Sequence, residues 1–308
     1  MRKAFIDTLV DIARVDDRIM LLTGDLGFMI LEPFARAFPG RFLNVGVAEA
    51  NMINVATGLA LVGFIPFVYS AATFVSMRCY EQIRNGPVYH RLPLRIVGVG
   101  GGFDYGFSGY SHYGIEDVGV MRLQSTLFIV VPADSLQLTS ALKATQTHPG
   151  PVYYRLGKTE RTPVAGLDGR FEPRKCVTIG TGKNVLLITM GDMAHEVLAA
   201  ADVLRDHGVA STTVIVSSFN PAPEEHVCEI LKGFSLAISV EDHSVQGGLG
   251  SWTSELVGRF NIPCRLTCLG ITDAHLNGVS GTNIYLKKQA GLSSESIADA
   301  ALKLLGRG

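Results

Sequence analysis

"NVGVAEANMINVATGLA" fills residues 44–60 and holds one residue that does not fit its surroundings. The stretch is small and apolar apart from a few asparagines and Glu49. Val45, Val47, Ala48, Met52, Ile53, Val55, Ala56, Leu59 and Ala60 stand around that carboxylate. The spacing predicts a helix over 48–62, closed by Gly63 as a C-cap. Burying an unpaired carboxylate is expensive, so such a group takes up a proton or finds a partner. Glu49 either faces water in the first helical turn or waits for something that this chain does not contain.

On both sides of this helix, short β-rich apolar runs alternate with helical patterns. That alternation predicts α/β architecture with open, mostly parallel sheets covered by helices on both faces. In the first half the expected strands are 19–24, 65–70, 94–100, 127–133 and 152–156, and the expected helices 3–14, 48–62, 73–84, 115–123 and 135–147. In the second half the strands are 185–191, 211–218, 236–242 and 264–271, and the helices 194–207, 224–232, 249–260 and 294–305. Between the halves lies LGKTERTPVAGLDGRFEPRK, polar, rich in Gly and Pro, and without periodicity. The expected division is a first domain at 1–160, a linker at 161–184 and a second, smaller domain at 185–308.

Composition narrows the function. Of the 308 residues 47% are hydrophobic and only 18% charged, which implies extensive burial in thick layers or against other subunits. The formal net charge of −1 favours neither nucleic acid nor an anionic membrane as a partner. Five scattered cysteines without zinc-type spacing read as reduced thiols in a cytoplasmic protein. No apolar run approaches the ~20 residues that span a bilayer. The first residues form an amphipathic, partly acidic helix rather than a secretion signal.

Several motifs stand at the expected strand ends. "GVGGGFDYGFSGYSHYG" (98–114) follows a strong strand, lacks the Lys-Ser/Thr of a phosphate loop, and carries His112. Binding loops gather at the carboxyl ends of strands in open α/β sheets, although a mobile surface loop would read the same way. "VEDHSVQGGLGS" (240–251) opens a helix, and a plain strand–helix turn explains it. Asp25 in "TGDLG" suits a turn. Phe74, Met77 and Tyr80 recur every third residue on one face of the expected helix, a pattern that core packing also produces.

Taken in order, "GDLG", "FLNVGVAEANMINVATGLALVGFIPFVYSAATF", "YEQIRN", "SGYSH", "GPVYYRLG" and "VEDHSVQGGLGS" resemble the C-terminal two-thirds of transketolase, and also deoxyxylulose phosphate synthase. The resemblance covers nearly the whole chain. It implies a pyrimidine-binding domain followed by a transketolase C-terminal domain, with thiamine diphosphate as cofactor. The glutamate matching Glu49 hydrogen-bonds N1′ of the cofactor's aminopyrimidine and promotes its imino tautomer. Phe74 and Tyr80 match aromatics that pack on the pyrimidine, and Met77 replaces a third. Asp25 matches a cofactor-proximal aspartate. His112 matches a histidine that contacts substrate hydroxyls. Arg155 and Arg2 match arginines that hold a sugar phosphate, a task suited to the guanidinium fork.

Departures from the family pattern also matter. Ser108 stands where the family has Asp, and a phosphate-contacting histidine is replaced around Gly100. Both changes point to a modified or unphosphorylated sugar. The sequence has no Gly-Asp-Gly, the motif whose domain holds Mg²⁺ and the diphosphate. The expectation is therefore the C-terminal subunit of a split transketolase that moves a two-carbon ketol unit from a ketose to an aldose. An N-terminal subunit would supply the Mg²⁺ ligands within an α₂β₂ assembly. Chemistry like that of deoxyxylulose phosphate synthase or a 2-oxoacid dehydrogenase β subunit, and a non-catalytic partner role, are the alternatives.

Overall fold

The computed structural model describes residues 1–276, 278 and 280–307. The strands are β1 (Ile19–Thr23), β2 (Phe42–Asn44), β3 (Ile65–Ala71), β4 (Arg95–Val99), β5 (Phe128–Val130), β6 (Val152–Leu156), β7 (Val177–Ile179), β8 (Val185–Thr189), β9 (Ser211–Ile215), β10 (Ser218–Phe219), β11 (Leu236–Ser244) and β12 (Arg265–Ile271). The helices are α1 (Arg2–Val15), α2 (Glu32–Ala37), α3 (Glu49–Leu61), α4 (Tyr80–Ile83), α5 (Asp117–Arg122), α6 (Ser135–Thr145), α7 (Ala194–Asp206), α8 (Glu224–Leu231), α9 (Leu249–Arg259), α10 (Asn283–Gln289) and α11 (Ser294–Leu304).

Among the described residues two sheets form, ordered β10-β5-β6-β4-β3-β1-β2 and β12-β11-β8-β9-β7. Pairing is parallel except at β10 and β7, each of which runs antiparallel at an edge. Every residue of β1, β3, β4, β6 and β8 is buried, as expected for strands covered by helices on both faces. This matches the α/β reading with two open, mostly parallel sheets.

The expected strand at 211–218 ends instead at Ile215. Ser218 and Phe219 then pair with Val130 and Ile129 of the first sheet, so the second half of the chain supplies an edge strand to the first. The segment read as a linker is also packed. Val164 and Leu167 are buried, and Val164 donates its N–H to Asp134, the residue that caps α6. Within it, β7 joins the second sheet.

Buried polar contacts hold the halves together. Arg155, near the end of β6 and only 5% exposed, donates Nε to both oxygens of Asp117 at 3.1 Å. Its Nη2 donates to the carbonyls of Gly114 and Asp242 at 2.9 and 2.8 Å. Tyr153 adds its hydroxyl to Asp117 at 2.7 Å. From β11, His243 accepts the Gly119 N–H at Nε2 and bonds the Ser244 carbonyl through Nδ1. Those two contacts require a neutral ring, and burial pushes the imidazole down to about 4.

This predicts an acid-sensitive domain contact. A histidine with a depressed folded pKa contributes stability that is full above its unfolded value near 6.5 and is lost as pH falls through about 4. Burial drives Glu241, close to His243, up to about 7, so the comparison is made against His243→Gln, which leaves Glu241 in place. Between pH 7 and 4 the wild type loses up to about 3 kcal/mol relative to His243→Gln in urea denaturation. Parallel stability curves would show that His243 does not titrate in this contact.

Candidate active site

The side chains singled out around the opening helix converge at the carboxyl edge of the first sheet. Glu49 is the first residue of α3, and its side chain is 1% exposed. It therefore does not face water. Nor does it lack a partner in this chain, because Arg78 donates Nη1 to Glu49 Oε2 at 2.6 Å. Ser70, at the end of β3, donates its hydroxyl to Oε1 at 3.3 Å. Gly24, just past β1, lies so close that a Cβ there would meet Glu49 Cγ at 3.3 Å. Burial, with Glu49 nearby, pushes the adjacent Cys79 thiol up to about 12 and leaves it inert.

Arg78 reaches Glu49 from the segment expected as a helix at 73–84, which is not regular. Phe74–Arg78 and Arg84–Val88 are widened into π turns on either side of the short α4. Pro87 lacks an N–H in the second, and Ser76 bonds back to the Ala72 carbonyl in the first. Such turns recur at functional sites. The wider turn changes which side chains share a face. Phe74 lies under the Arg78 guanidinium, whose centre is 4.5 Å from the ring centroid. Tyr80 packs against the core that contains Val75, Cys79 and Ile83, and Met77 is exposed.

His112 meets the edge of Phe74, with ring centroids 5.0 Å apart, and its Nδ1 shares a 3.0 Å hydrogen bond with Ser111. Its loop is pinned at the neck. Gly102 and Gly114 exchange backbone hydrogen bonds at the neck, and Phe103 packs edge-on against Tyr113. The loop's glycines answer to packing beneath it. A Cβ at Gly101 would strike the Arg155 guanidinium at 2.4 Å, and one at Gly102 the Asp242 carboxylate at 2.0 Å. Gly102 also has φ +62.

Asp25 sits in the left-handed region at φ 60, at the same sheet edge, in a reciprocal pair with Asn44. Arg2 donates Nε to the Lys158 carbonyl at 3.1 Å. Ser108 opens onto a cavity of about 390 Å³ between the domains, with Asp104, Lys158, Arg161, Asp192 and Lys287, and not onto the Glu49 cluster. Arg155, expected to hold a sugar phosphate, lies beneath the His112 loop. It is buried, and its Nε and Nη2 are committed to Asp117, Gly114 and Asp242. The sequence reading missed Arg78, although its charge within an apolar, aromatic run was a signal.

The cluster thus presents a buried carboxylate with an aromatic face beside it, and a histidine on a packed loop. The model of the transketolase pyrimidine-binding domain matches residues 1–162, and that of the transketolase C-terminal domain matches residues 174–297. The chain belongs to the transketolase family. A 6-deoxy-6-sulfo-D-fructose transketolase subunit from a Clostridium species is 34% identical over 308 residues, covering 100% of this chain and 95% of the relative. A split-gene transketolase solved as an inactive β4 tetramer superposes with a TM-score of 0.87 at 33% identity, covering 99% of this chain and 97% of that one. The chain therefore corresponds to the C-terminal subunit of a split transketolase. A 1-deoxy-D-xylulose-5-phosphate synthase from Heliobacterium modesticaldum is 29% identical but matched over only 46% of its length, a weaker and partial likeness.

Proposed function

We propose that this chain is the pyrimidine-binding half of an enzyme that transfers a two-carbon ketol unit between sugars, and that it acts only with a partner holding the cofactor's diphosphate and Mg²⁺. The observation that carries the reading is Glu49: a buried carboxylate in a first helical turn, at the carboxyl edge of a parallel sheet, beside Phe74 and His112. These residues fit the aminopyrimidine half of thiamine diphosphate. Gly24 leaves room for a carboxylate to lie flat against the strand end, and Phe74 offers a ring face. When bound, thiamine diphosphate supplies the nucleophilic carbon and the electron sink that ketol transfer requires. Glu49 then holds a proton between its Oε2 and the ring nitrogen, and Ser70 fixes the other oxygen. His112 orients the donor's hydroxyls, and Arg2 is the residue offered to the sugar's far end.

The surface supports a partner. Helix α3 carries no charged residue besides Glu49, and Asn51, Asn54, Gly58 and Leu61 recur on its outer face. Val47, Leu61, Val62 and Met77 are exposed nearby. A helix without a charged side belongs inside an assembly, and permanent interfaces resemble a core cut in half. We assign this face to the partner, in an α₂β₂ assembly with two sites. The Clostridium relative acts on a sulfonated sugar by its name, in keeping with a modified or unphosphorylated substrate for this chain.

Two outcomes follow. Glu49→Gln assembles normally but loses about 10²–10⁴-fold in turnover with hydroxypyruvate as donor, because an amide does not exchange that proton. Near-wild-type turnover, or a preference for pyruvate in the wild type, would exclude ketol transfer through Glu49. A Cβ at Gly58 meets nothing within 4 Å, so Gly58→Arg leaves the free chain folded by circular dichroism. Sedimentation should show that it no longer assembles with the partner. Unimpaired assembly would place the interface elsewhere.

A further inference from the structure

Arg78 makes the contacts that a bound aminopyrimidine would make. Its guanidinium is flat, donates an N–H to Glu49 Oε2 at 2.6 Å, and stacks 4.5 Å above the Phe74 ring. A protonated pyrimidine ring in the same place would donate to the same oxygen and cover the same ring. Both cannot hold Oε2 and the Phe74 face together. The side chain is anchored at one end only. Glu49 is 1% exposed, whereas Arg78 is 46% exposed, so its head can swing into water along its own stem.

We infer that Arg78 is a placeholder: it occupies the pyrimidine position in the unloaded subunit, neutralises the buried Glu49, and leaves when the site is filled. This rests on the proposed function of the same site and adds a competition built into the chain. A buried carboxylate left bare costs several kcal/mol, and the guanidinium removes that cost without sealing the site. The cofactor's apparent affinity is then reduced by the fraction of subunits in which Arg78 holds Glu49. Residues 74 and 78 stand four apart on the π turn, so one guanidinium spans the Phe74 ring and the Glu49 carboxylate.

The test is calorimetric titration of thiamine diphosphate into the complete complex of this chain with its diphosphate-binding partner. Wild type is compared with R78M, which keeps the stem and loses the charge, and with R78Q, which keeps a flat neutral donor. Circular dichroism and sedimentation select variants that fold and assemble. R78Q is included because R78M leaves Glu49 bare. The expected order of affinity is R78M above R78Q above wild type, with R78M about five- to tenfold tighter. The same titration with unphosphorylated thiamine should show the same ratio, because the competition lies at the ring. Equal or weaker binding by both variants, while the wild-type complex still binds, would overturn the placeholder and leave the proposed function standing. Absence of binding by the wild-type complex would overturn that function and the placeholder with it.

Discussion

A carboxylate closed in at the start of an apolar helix sets the terms for the rest of this molecule. Glu49 is held by the Ser70 hydroxyl and the Arg78 guanidinium, beneath a glycine with no side chain to displace it. Removing the arginine leaves a buried charge with one fewer partner, at a cost that the exposure of Arg78 to water reduces. Replacing both members with apolar groups would cost little or even stabilise the fold. Stability alone therefore does not account for the pair. Chemistry that needs a carboxylate out of water does, and a half-exposed arginine gives that carboxylate a partner that can be exchanged.

The remaining architecture holds the other side chains in place around this point. The His112 loop lies directly on Arg155 and Asp242, with backbone so close that Gly101 and Gly102 have no space for a Cβ. Arg155 in turn joins β6 and α5 of the first half to β11 of the second. The second half thus acts as the floor of the loop, reinforced by β10 in the first sheet and by neutral His243 against Gly119. A site residue on so closely packed a support is held close to one position.

Much of this was legible in the sequence. Long apolar runs gave β1, β3, β4, β6 and β8, because buried parallel strands are continuous in hydrophobicity. Glu49 stood out because its neighbours were uniformly small and apolar. Other features were hidden for physical reasons. The partner of Glu49 is 29 residues away and arrives through a π turn, which a 3.6-residue period does not describe. Phe74 and Tyr80 meet different neighbours, the Arg78 guanidinium and the buried core. Arg155 stood at the right strand end for a ligand, but its acceptors Asp117 and Asp242 lie 38 and 87 residues away and no local pattern reveals them. The two-residue β10 is too short for any periodicity.

The most direct measurement is a crystal or electron cryomicroscopy structure of the assembled complex with thiamine diphosphate bound. The aminopyrimidine nitrogen should lie within about 3 Å of Glu49 Oε2, with the ring against Phe74, the diphosphate held by the partner chain, and Arg78 displaced into solvent. A cofactor bound elsewhere, with the Glu49–Arg78 pair intact, would exclude Glu49 as its ligand.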